Sequence, residues 1–131
     1  MGSGKTTVGQ ELARQLPATF LDLDRVIEKR EGQSVSHIFA RLGEDSFRAA
    51  ERAAVVELLA GAPANCVLAT GGGAFPQAQI ADLLEARSAI TIFLDAPAEE
   101  LHRRCVDSLD AGARPLLKDL SSFKKLYAER L

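Results

Sequence analysis

The amino terminus of the chain carries the second half of a phosphate-binding loop. The full pattern is a glycine, four residues of any type, and then Gly-Lys followed by Ser or Thr, and residues 1–7 read MGSGKTT. Glycines at positions 2 and 4 let backbone N–H groups turn inward as a concave anion cradle, and the following helix points its positive end at the same ligand. Lys5 brings a full charge to the phosphates, and the Thr6 hydroxyl can bind Mg²⁺. The motif predicts a nucleotide phosphate site, with a chance match in a flexible terminus as the alternative.

Length and composition indicate one ordinary globular domain. The chain has 131 residues, 47% hydrophobic and 26% charged, with a formal net charge of −2. These values give no sign of a nucleic-acid or membrane surface. No signal peptide and no long apolar run are found, so we expect a cytoplasmic protein. Cys66 and Cys105 lie far apart and outside metal-ligand spacing, which favours reduced thiols without a chemical role.

The periodicity of apolar residues predicts helices that alternate with short apolar strands. The predicted helices are 6–16, 26–31, 34–42 with an N-cap at Ser34, 44–60, 80–86, one around Leu101, and a last one from an N-cap at Ser121 to the chain end. The predicted strands are 19–21, 66–69 and 89–94, and residues 106–113 are expected to form a loop. Strands alternating with helices predict a three-layer α/β fold, in which a parallel sheet has helices on its faces.

Polar and glycine residues follow two of the predicted strands directly. Asp22 and Asp24 form an Asp-x-Asp pair after 19–21, and three glycines at 71–73 follow 66–69. The carboxyl ends of strands are where open α/β sheets bind ligands. Glycines there allow backbone amides to approach a ligand closely, although a flexible turn is the alternative. We therefore expect a ligand site at this edge of the sheet.

Five segments occur in a consistent order along almost the whole chain: GSGKT, DLD, GEDSFRAAE, GGG and RPLL. Together they resemble shikimate kinase. The triple glycine after a buried strand, with Phe-Arg upstream and Arg-Pro-Leu-Leu downstream, is more specific than the phosphate loop. The resemblance implies a P-loop, nucleoside-monophosphate-kinase-like fold over residues 1–131. It also implies a phosphotransferase that moves the γ-phosphoryl group of ATP to the 3-hydroxyl of shikimate, in the biosynthesis of chorismate and aromatic amino acids.

On the nucleotide side, the resemblance implies ATP as co-substrate with Mg²⁺. The metal ligands would be Thr6 and Asp22, and a lid at about 106–120 would close over the phosphates through Arg114. Arg104 would stack on adenine, with a surface position on its helix as the alternative. The implied ATP-binding residues are Gly2, Ser3, Gly4, Lys5, Thr6, Thr7, Arg104 and Arg114. The implied catalytic residues are Lys5, Asp24 and Arg114.

On the acceptor side, helices at about 24–60 would bind shikimate. Asp24 would accept hydrogen bonds from its hydroxyls and draw the proton from the attacking oxygen, unless it only caps the next helix. Arg48 would pair with the substrate carboxylate, because a guanidinium binds a carboxylate through two parallel hydrogen bonds. Glu51, three residues on, could orient it, although a solvated arginine on the helix surface is the alternative. The implied substrate-binding residues are Asp24, Phe39, Phe47, Arg48, Glu51, Gly71, Gly72, Gly73, Leu116 and Arg130, with core packing as the simpler role for each phenylalanine.

Three further expectations complete the sequence-based interpretation. The family has a strand before the phosphate loop, and a strand and a helix after the position of Arg130. This sequence contains neither part, so we expect a fold that is truncated at both ends. Such a fold should have weak stability and weak activity in isolation. The alternatives are a gluconate-type kinase of the same fold and an inactive nucleotide-binding fragment. His37 and His102 match no family role and are expected to be exposed. We expect a monomer whose partners are ATP and shikimate, without nucleic acid or membrane.

Overall fold

The computed structural model describes residues 2–72, 74, 77–107 and 119–128. It contains two compact units. The larger is Lys5–Ile90, and the smaller combines the described parts of Met1–Gly4 and Thr91–Leu131. The elements of the larger unit are α1 Lys5–Gln15, β1 Thr19–Asp22, α2 Leu23–Glu31, α3 Val35–Gly61, β2 Cys66–Ala69 and α4 Ala78–Ala86. Those of the smaller unit are α5 Ala98–Asp107 and α6 Leu120–Ala128.

The sheet of the larger unit is formed by β1 and β2, which pair in parallel from Thr19 opposite Cys66 to Asp22 opposite Ala69. Helix α1 packs closely on this pair because Gly9 has no side chain. A Cβ at Gly9 would lie only 2.7 Å from Cε2 of Phe20. The predicted parallel sheet is thus confirmed for the first two strands.

Local capping residues set the ends of the helices that follow β1. The Asp22 side chain accepts a hydrogen bond from the Asp24 N–H and caps α2, and Gly32 ends that helix in the left-handed conformation at φ 67°. Ser34 caps α3 as predicted, since its hydroxyl accepts from the His37 N–H at 3.2 Å. The predicted break at Gly43 is a kink within α3, with φ 78° and ψ 177°. Both halves of α3 therefore form where the apolar pattern predicts helix.

The core of the larger unit lies among α2, α3, α4 and the turn before α4. These elements bury aliphatic and aromatic side chains, in keeping with the predicted helix faces. The buried residues are Leu23, Ile27, Ile38, Phe47, Ala54, Val55, Ala74, Ile80 and Leu84.

The predicted strand at 89–94 is wrong. Its residues are not in a strand, and the side chains of Ile90, Ile92 and Phe93 are 91%, 65% and 68% exposed. A strand requires a neighbour that pairs with its backbone N–H and C=O groups. Among the described residues the sheet contains β1 and β2 alone, and neither pairs with this segment.

The smaller unit is held together by contacts between α5 and α6, which bury Leu101, Cys105 and Phe123. Ion pairing adds to them, because Lys124 Nζ lies 2.6 Å from Glu99 Oε1. The Tyr127 hydroxyl donates to a carboxylate oxygen of Asp95. This hydrogen bond raises the pKa of Tyr127.

Three expectations for this unit are corrected. Helix α6 is capped by Asp119 and not by Ser121, since the Asp119 carboxylate accepts from the N–H and the hydroxyl of Ser122 at 2.8 and 2.9 Å. The expected loop at 106–113 does not begin at Val106, because α5 continues to Asp107; residues 108–113 lie outside the described part. His102 is half-buried with its ring edge against Phe123, because α6 covers that face of α5.

His37, in the larger unit, is exposed as expected. Every helix among the described residues is too short or too polar to cross a bilayer.

Candidate active site

The carboxyl end of β1 brings a hydroxyl and a carboxylate together. Thr6, in the first turn of α1, donates from Oγ1 to Oδ2 of Asp22 at 3.0 Å. The other oxygen of Asp22 accepts the Asp24 N–H at 3.1 Å. Capping of α2 is thus performed by Asp22, so the alternative in which Asp24 is the N-cap is wrong. The first residue of the acidic pair fixes the start of α2, and the second lies in its first turn.

The same pair of residues has the chemistry of a magnesium site. Mg²⁺ prefers oxygen ligands and is commonly held by one or two carboxylates together with substrate phosphates. The Thr6 hydroxyl and the Asp22 carboxylate supply two such oxygens side by side. A cage of three or more His, Cys, Asp or Glu side chains is not found in the described part of the chain. The donor set therefore fits a metal that is shared with a phosphate ligand.

An arginine and a buried glutamate meet on the second half of α3. Arg48 Nη1 donates to Glu51 Oε2 at 2.8 Å, and Nη2 donates to Glu44 Oε1 at 2.9 Å. The Glu51 side chain is completely buried and that of Arg48 is 16% exposed. Burial alone would lower the pKa of Arg48, but the hydrogen bonds to Glu51 and Glu44 raise it above its ordinary value. Arg48 is therefore a permanently charged, oriented cation, and the alternative of a solvated surface arginine is wrong.

The loop after β2 approaches these residues at Gly71. A Cβ built on Gly71 would lie 2.7 Å from Glu51 Oε1 and 3.5 Å from Asp24 Oδ1. Three segments that are distant in sequence thus converge: the start of α2, the middle of α3 and the loop after β2. The backbone thus approaches Glu51 closely at Gly71, and the predicted approach to a ligand stays a prediction. Gly72 follows in an exposed turn, and Gly73 lies outside the described residues.

A second layer of polar contacts surrounds the buried carboxylate of Glu51. Gln77 Nε2 donates to Glu51 Oε2 at 2.6 Å, and Arg52 Nη1 donates to Gln77 Oε1 at 3.0 Å. Glu51 Oε1 is buried and has no hydrogen-bond partner among the described residues. Sequence analysis missed Gln77 and Arg52, because no motif links positions that are 25 residues apart.

Two phenylalanines lie beside the arginine. The rings of Phe39 and Phe47 are 4.5 Å apart, and the Arg48 guanidinium carbon lies 5.3 Å from the centroid of Phe47. Phe47 belongs to the buried core, and Phe39 is half-buried at its margin. Core packing therefore accounts for Phe47. Its contact with Arg48 also makes it a wall for the cation.

The remaining predicted nucleotide-binding residues are placed as follows. Gly2 and Gly4, in the smaller unit, have φ values of 70° and 82°, the left-handed conformations that a glycine cradle requires. A Cβ at Gly2 would lie 2.6 Å from the carbonyl oxygen of Leu101. Ser3 is half-buried, Lys5 is the first residue of α1, and Thr7 is exposed on that helix.

Arg104, the predicted adenine contact, donates from Nε to Glu100 Oε1 at 2.7 Å on α5, which places it on the helix surface. Arg114, Leu116 and Arg130 lie outside the described residues.

Glu100 has the most strongly shifted pKa among the described carboxylates. Hydrogen bonds from Arg103 and Arg104 lower the pKa of Glu100 to about 2. The Glu100 side chain is 32% exposed and those of Arg103 and Arg104 are 63% and 47% exposed, so solvent screens these ion pairs. Arg104 is thereby held along its own helix.

Comparison with known proteins places this geometry in a family. The shikimate kinase family model matches residues 1–131. The chain is 40% identical over 131 residues to the shikimate kinase of Aquifex aeolicus, and the aligned region covers 99% of this chain and 74% of that protein. It is 42% identical over 119 residues to the shikimate kinase of Francisella tularensis subsp. novicida, and the aligned region covers 90% of this chain and 64% of that protein.

A solved structure is similar as well. The shikimate kinase of Acinetobacter baumannii in complex with shikimate matches with a TM-score of 0.83 and 39% identity, covering 98% of this chain and 68% of that one. The P-loop, nucleoside-monophosphate-kinase-like α/β fold predicted from the sequence is thus confirmed. The chain spans about two thirds to three quarters of the length of these relatives. From the match of its sequence and of its fold, the chain belongs to the shikimate kinase family.

Proposed function

We propose that this chain catalyses transfer of the γ-phosphoryl group of ATP to the 3-hydroxyl of shikimate, giving shikimate 3-phosphate and ADP. The observation that carries the proposal is the convergence of Asp24, the Arg48–Glu51 pair and Gly71. A charged, oriented guanidinium suits the substrate carboxylate. A carboxylate nearby suits the hydroxyls on the opposite side of a small ring.

The acceptor is activated through Asp24 in this proposal. Its carboxylate accepts a hydrogen bond from the attacking hydroxyl and takes up the proton as the oxygen bonds to phosphorus. Arg48 fixes the orientation of the ring through its carboxylate, with Gly71 close enough for a backbone contact. Phosphoryl transfer depends mostly on such positioning and on electrostatic stabilisation. Arg130 is proposed as a second carboxylate ligand and Leu116 as part of the lid over the ring.

The nucleotide is held at the amino-terminal loop. Backbone amides of Gly2, Ser3 and Gly4 surround the phosphates, and Lys5 and the lid residue Arg114 stabilise charge on the transferring group. Thr6 and Asp22 would hold Mg²⁺, which neutralises phosphate charge when bound. The cytoplasmic location and the monomeric state stay predictions from the sequence.

The proposal is tested by measuring ADP release with and without shikimate. We expect release to depend on shikimate and not to be supported by gluconate. Equal rates with gluconate would favour the other small-molecule kinase, and ATP binding without release would favour an inactive binder. The same assay on a form extended to the length of the relatives distinguishes an inactive fragment from a wrong substrate.

Lys5→Met gives a second test at the phosphate loop. We expect it to lower shikimate-dependent turnover by about two to three orders of magnitude, because it removes a charge aimed at the transferring phosphoryl group. Lys29→Met, an exposed lysine on α2, is the matched control and should retain turnover. Unchanged turnover in Lys5→Met would contradict the kinase mechanism.

A further inference from the structure

We propose that Gln77 is a positioning residue for Arg48, acting through the buried carboxylate of Glu51. The inference rests on the proposed function, because the orientation of Arg48 matters only if this cation binds the acceptor's carboxylate. No motif of the sequence includes Gln77, and its side chain forms hydrogen bonds with Glu51 and Arg52. Its role follows from the hydrogen bonds that hold Glu51.

One oxygen of Glu51 is shared between Arg48 and Gln77. Arg48 Nη1 donates to Oε2 at 2.8 Å, and Gln77 Nε2 donates to the same oxygen at 2.6 Å. The other oxygen, Oε1, is buried against Gly71 without a hydrogen-bond partner among the described residues. A buried carboxylate depends strongly on each donor it has. Gln77 therefore supplies one of the two described hydrogen bonds that fix the rotamer of Glu51.

The orientation of the Gln77 amide is itself fixed. Arg52 Nη1 donates to Gln77 Oε1 at 3.0 Å, and an arginine has no acceptor atom. The carbonyl side of the amide must therefore face Arg52, which turns the NH₂ group toward Glu51. A glutamine is suited to this position because it connects a cation to a carboxylate without adding a charge of its own.

The backbone position of Gln77 supports a role for its side chain outside helix capping. Gln77 is the N-cap residue of α4, yet its side chain makes no capping hydrogen bond. Helices are stabilised at this position by Ser, Thr, Asp or Asn. The side chain instead reaches Glu51 on α3, so local stability of α4 does not explain the residue.

Loss of the amide would release Glu51 and with it Arg48. Arg48 is also bonded to Glu44, whose side chain is 58% exposed. Without Gln77, Glu51 is held by fewer donors, and the guanidinium is free to follow Glu44 toward solvent. The expected consequence is weaker binding of the acceptor, with the chemistry of phosphoryl transfer unchanged.

The first experiment replaces the amide with a hydrocarbon of similar size. Gln77→Leu should raise the KM for shikimate about tenfold, as for the loss of a hydrogen bond to a charged group. Both kcat and the KM for ATP should change by less than about twofold, because the interaction is uniform in ground and transition states. Gln79→Leu, an exposed glutamine on α4, is the matched control and should behave as the unaltered chain.

The second experiment uses pH to separate positioning from a merely structural role. In Gln77→Glu, two carboxylates at hydrogen-bond distance share one proton at low pH, because ionising both is costly, and the protonated acid can donate to Glu51 as the amide does. The KM for shikimate should be close to that of the unaltered chain near pH 5.5. It should rise by about tenfold or more toward pH 8.5, as the shared proton is lost and the two charges repel. Among the described residues, the other charged groups of this network are Arg48, Arg52, Glu44 and Asp24, and all are the same in both chains.

The outcomes separate this inference from the function on which it rests. Isothermal titration with shikimate and a thermal melt are recorded for each variant. If the unaltered chain binds shikimate and Gln77→Leu binds it equally well, the positioning role is overturned while the proposed function stands. A lower melting temperature with an unchanged KM, or a flat pH profile in Gln77→Glu, also overturns it. If the unaltered chain does not bind shikimate, the proposed function fails and this inference fails with it.

Discussion

Gly71 shows how one residue without a side chain can hold a site together. Its φ lies outside the left-handed region, so the backbone conformation does not require glycine. The requirement comes from space, because a Cβ would lie 2.7 Å from the buried Oε1 of Glu51. Glu51 cannot retreat without disturbing its contacts with Arg48 and Gln77. The absence of a methyl group thus preserves the hydrogen-bonded pair beneath it.

Gly71→Ala is therefore expected to damage the site more than the fold. Displacement of Glu51 or of the loop by up to about 1 Å should reduce shikimate-dependent turnover by about a hundredfold. Gly61→Ala is the matched control, since a Cβ there meets nothing within 4 Å. Steady-state kinetics with a thermal melt would check both variants. Turnover of Gly71→Ala equal to that of Gly61→Ala would show that the clash is relieved without cost.

At the scale of elements, the distance between α1 and the sheet is set by Gly9. Helix α1 begins at Lys5 and includes Thr6, which bonds to Asp22 at the end of β1. A larger residue at position 9 would meet the ring of Phe20, 2.7 Å from the new Cβ. Packing of the helix and geometry of the Thr6–Asp22 contact therefore depend on the same glycine.

Gly9→Ala should lower the free energy of unfolding by about 1–3 kcal/mol through overpacking. Adding Phe20→Leu, which shortens the opposing side chain, should recover part of the loss. Urea unfolding of the two single variants and the double variant gives the coupling between them. Purely additive effects would mean that the helix and the ring do not contact each other in solution.

Helix α6 depends on the carboxylate at its amino end. Hydrogen bonds from the backbone N–H and the hydroxyl of Ser122 lower the pKa of Asp119. A carboxylate whose pKa is depressed by folding stabilises the fold above its unfolded pKa, and this contribution is lost as the pH falls through the folded pKa. Asp119→Ala should therefore lower the melting temperature at pH 7, and its difference from the unaltered chain should shrink below about pH 4.

Ser121→Ala is the control for this cap, because the hydroxyl of Ser121 is not the capping group. It should leave the melting temperature unchanged at either pH. A loss in Ser121→Ala equal to that in Asp119→Ala would contradict the assignment of the cap.

At the scale of the whole molecule, the exposed apolar segment 90–93 is expected to affect association between molecules. Ile90, Ile92 and Phe93 expose most of their side chains, and contiguous exposed apolar surface promotes association. We expect Ile92→Thr combined with Phe93→Ser to reduce light scattering on warming, with little effect on the melting temperature. Val56→Thr, at a residue that is 52% exposed within α3, is the control. Unaltered scattering in the double variant would show that this segment does not drive association.

The features that could be predicted from the sequence are those that depend on residues close together along the chain. Ser34 as a cap, Gly43 as a break and the spacing of Arg48 and Glu51 are local features, and all are found in the structure. The position of Asp22 at the end of a strand likewise follows from the residues before it. Local patterns thus predicted the elements on which these residues lie, and their roles in binding stay predictions from the family resemblance.

What could not be predicted depends on contacts between distant segments. The apolar run at 89–94 suggested a strand, but hydrophobicity does not reveal whether a pairing partner is present. Gln77 is 26 residues from Glu51, so only the packing of α4 beside α3 brings them together. The choice of Asp119 over Ser121 as a cap depended on where a helix begins, which is the least certain feature of a sequence-based assignment.

The contact of Gly2 with α5 has a practical consequence for following the phosphate loop. A Cβ at Gly2 would lie 3.0 Å from Sγ of Cys105, a buried residue that forms no disulfide. Thiols react as thiolates and only when a reagent reaches them. Because α6 covers Cys105 as well as Gly2 does, modification of Cys105 by a chromogenic disulfide, in a chain carrying Cys66→Ser, would require local opening of the smaller unit. The rate of labelling would measure this opening, and slower labelling with ATP present would mean that ATP stabilises the closed state of the smaller unit.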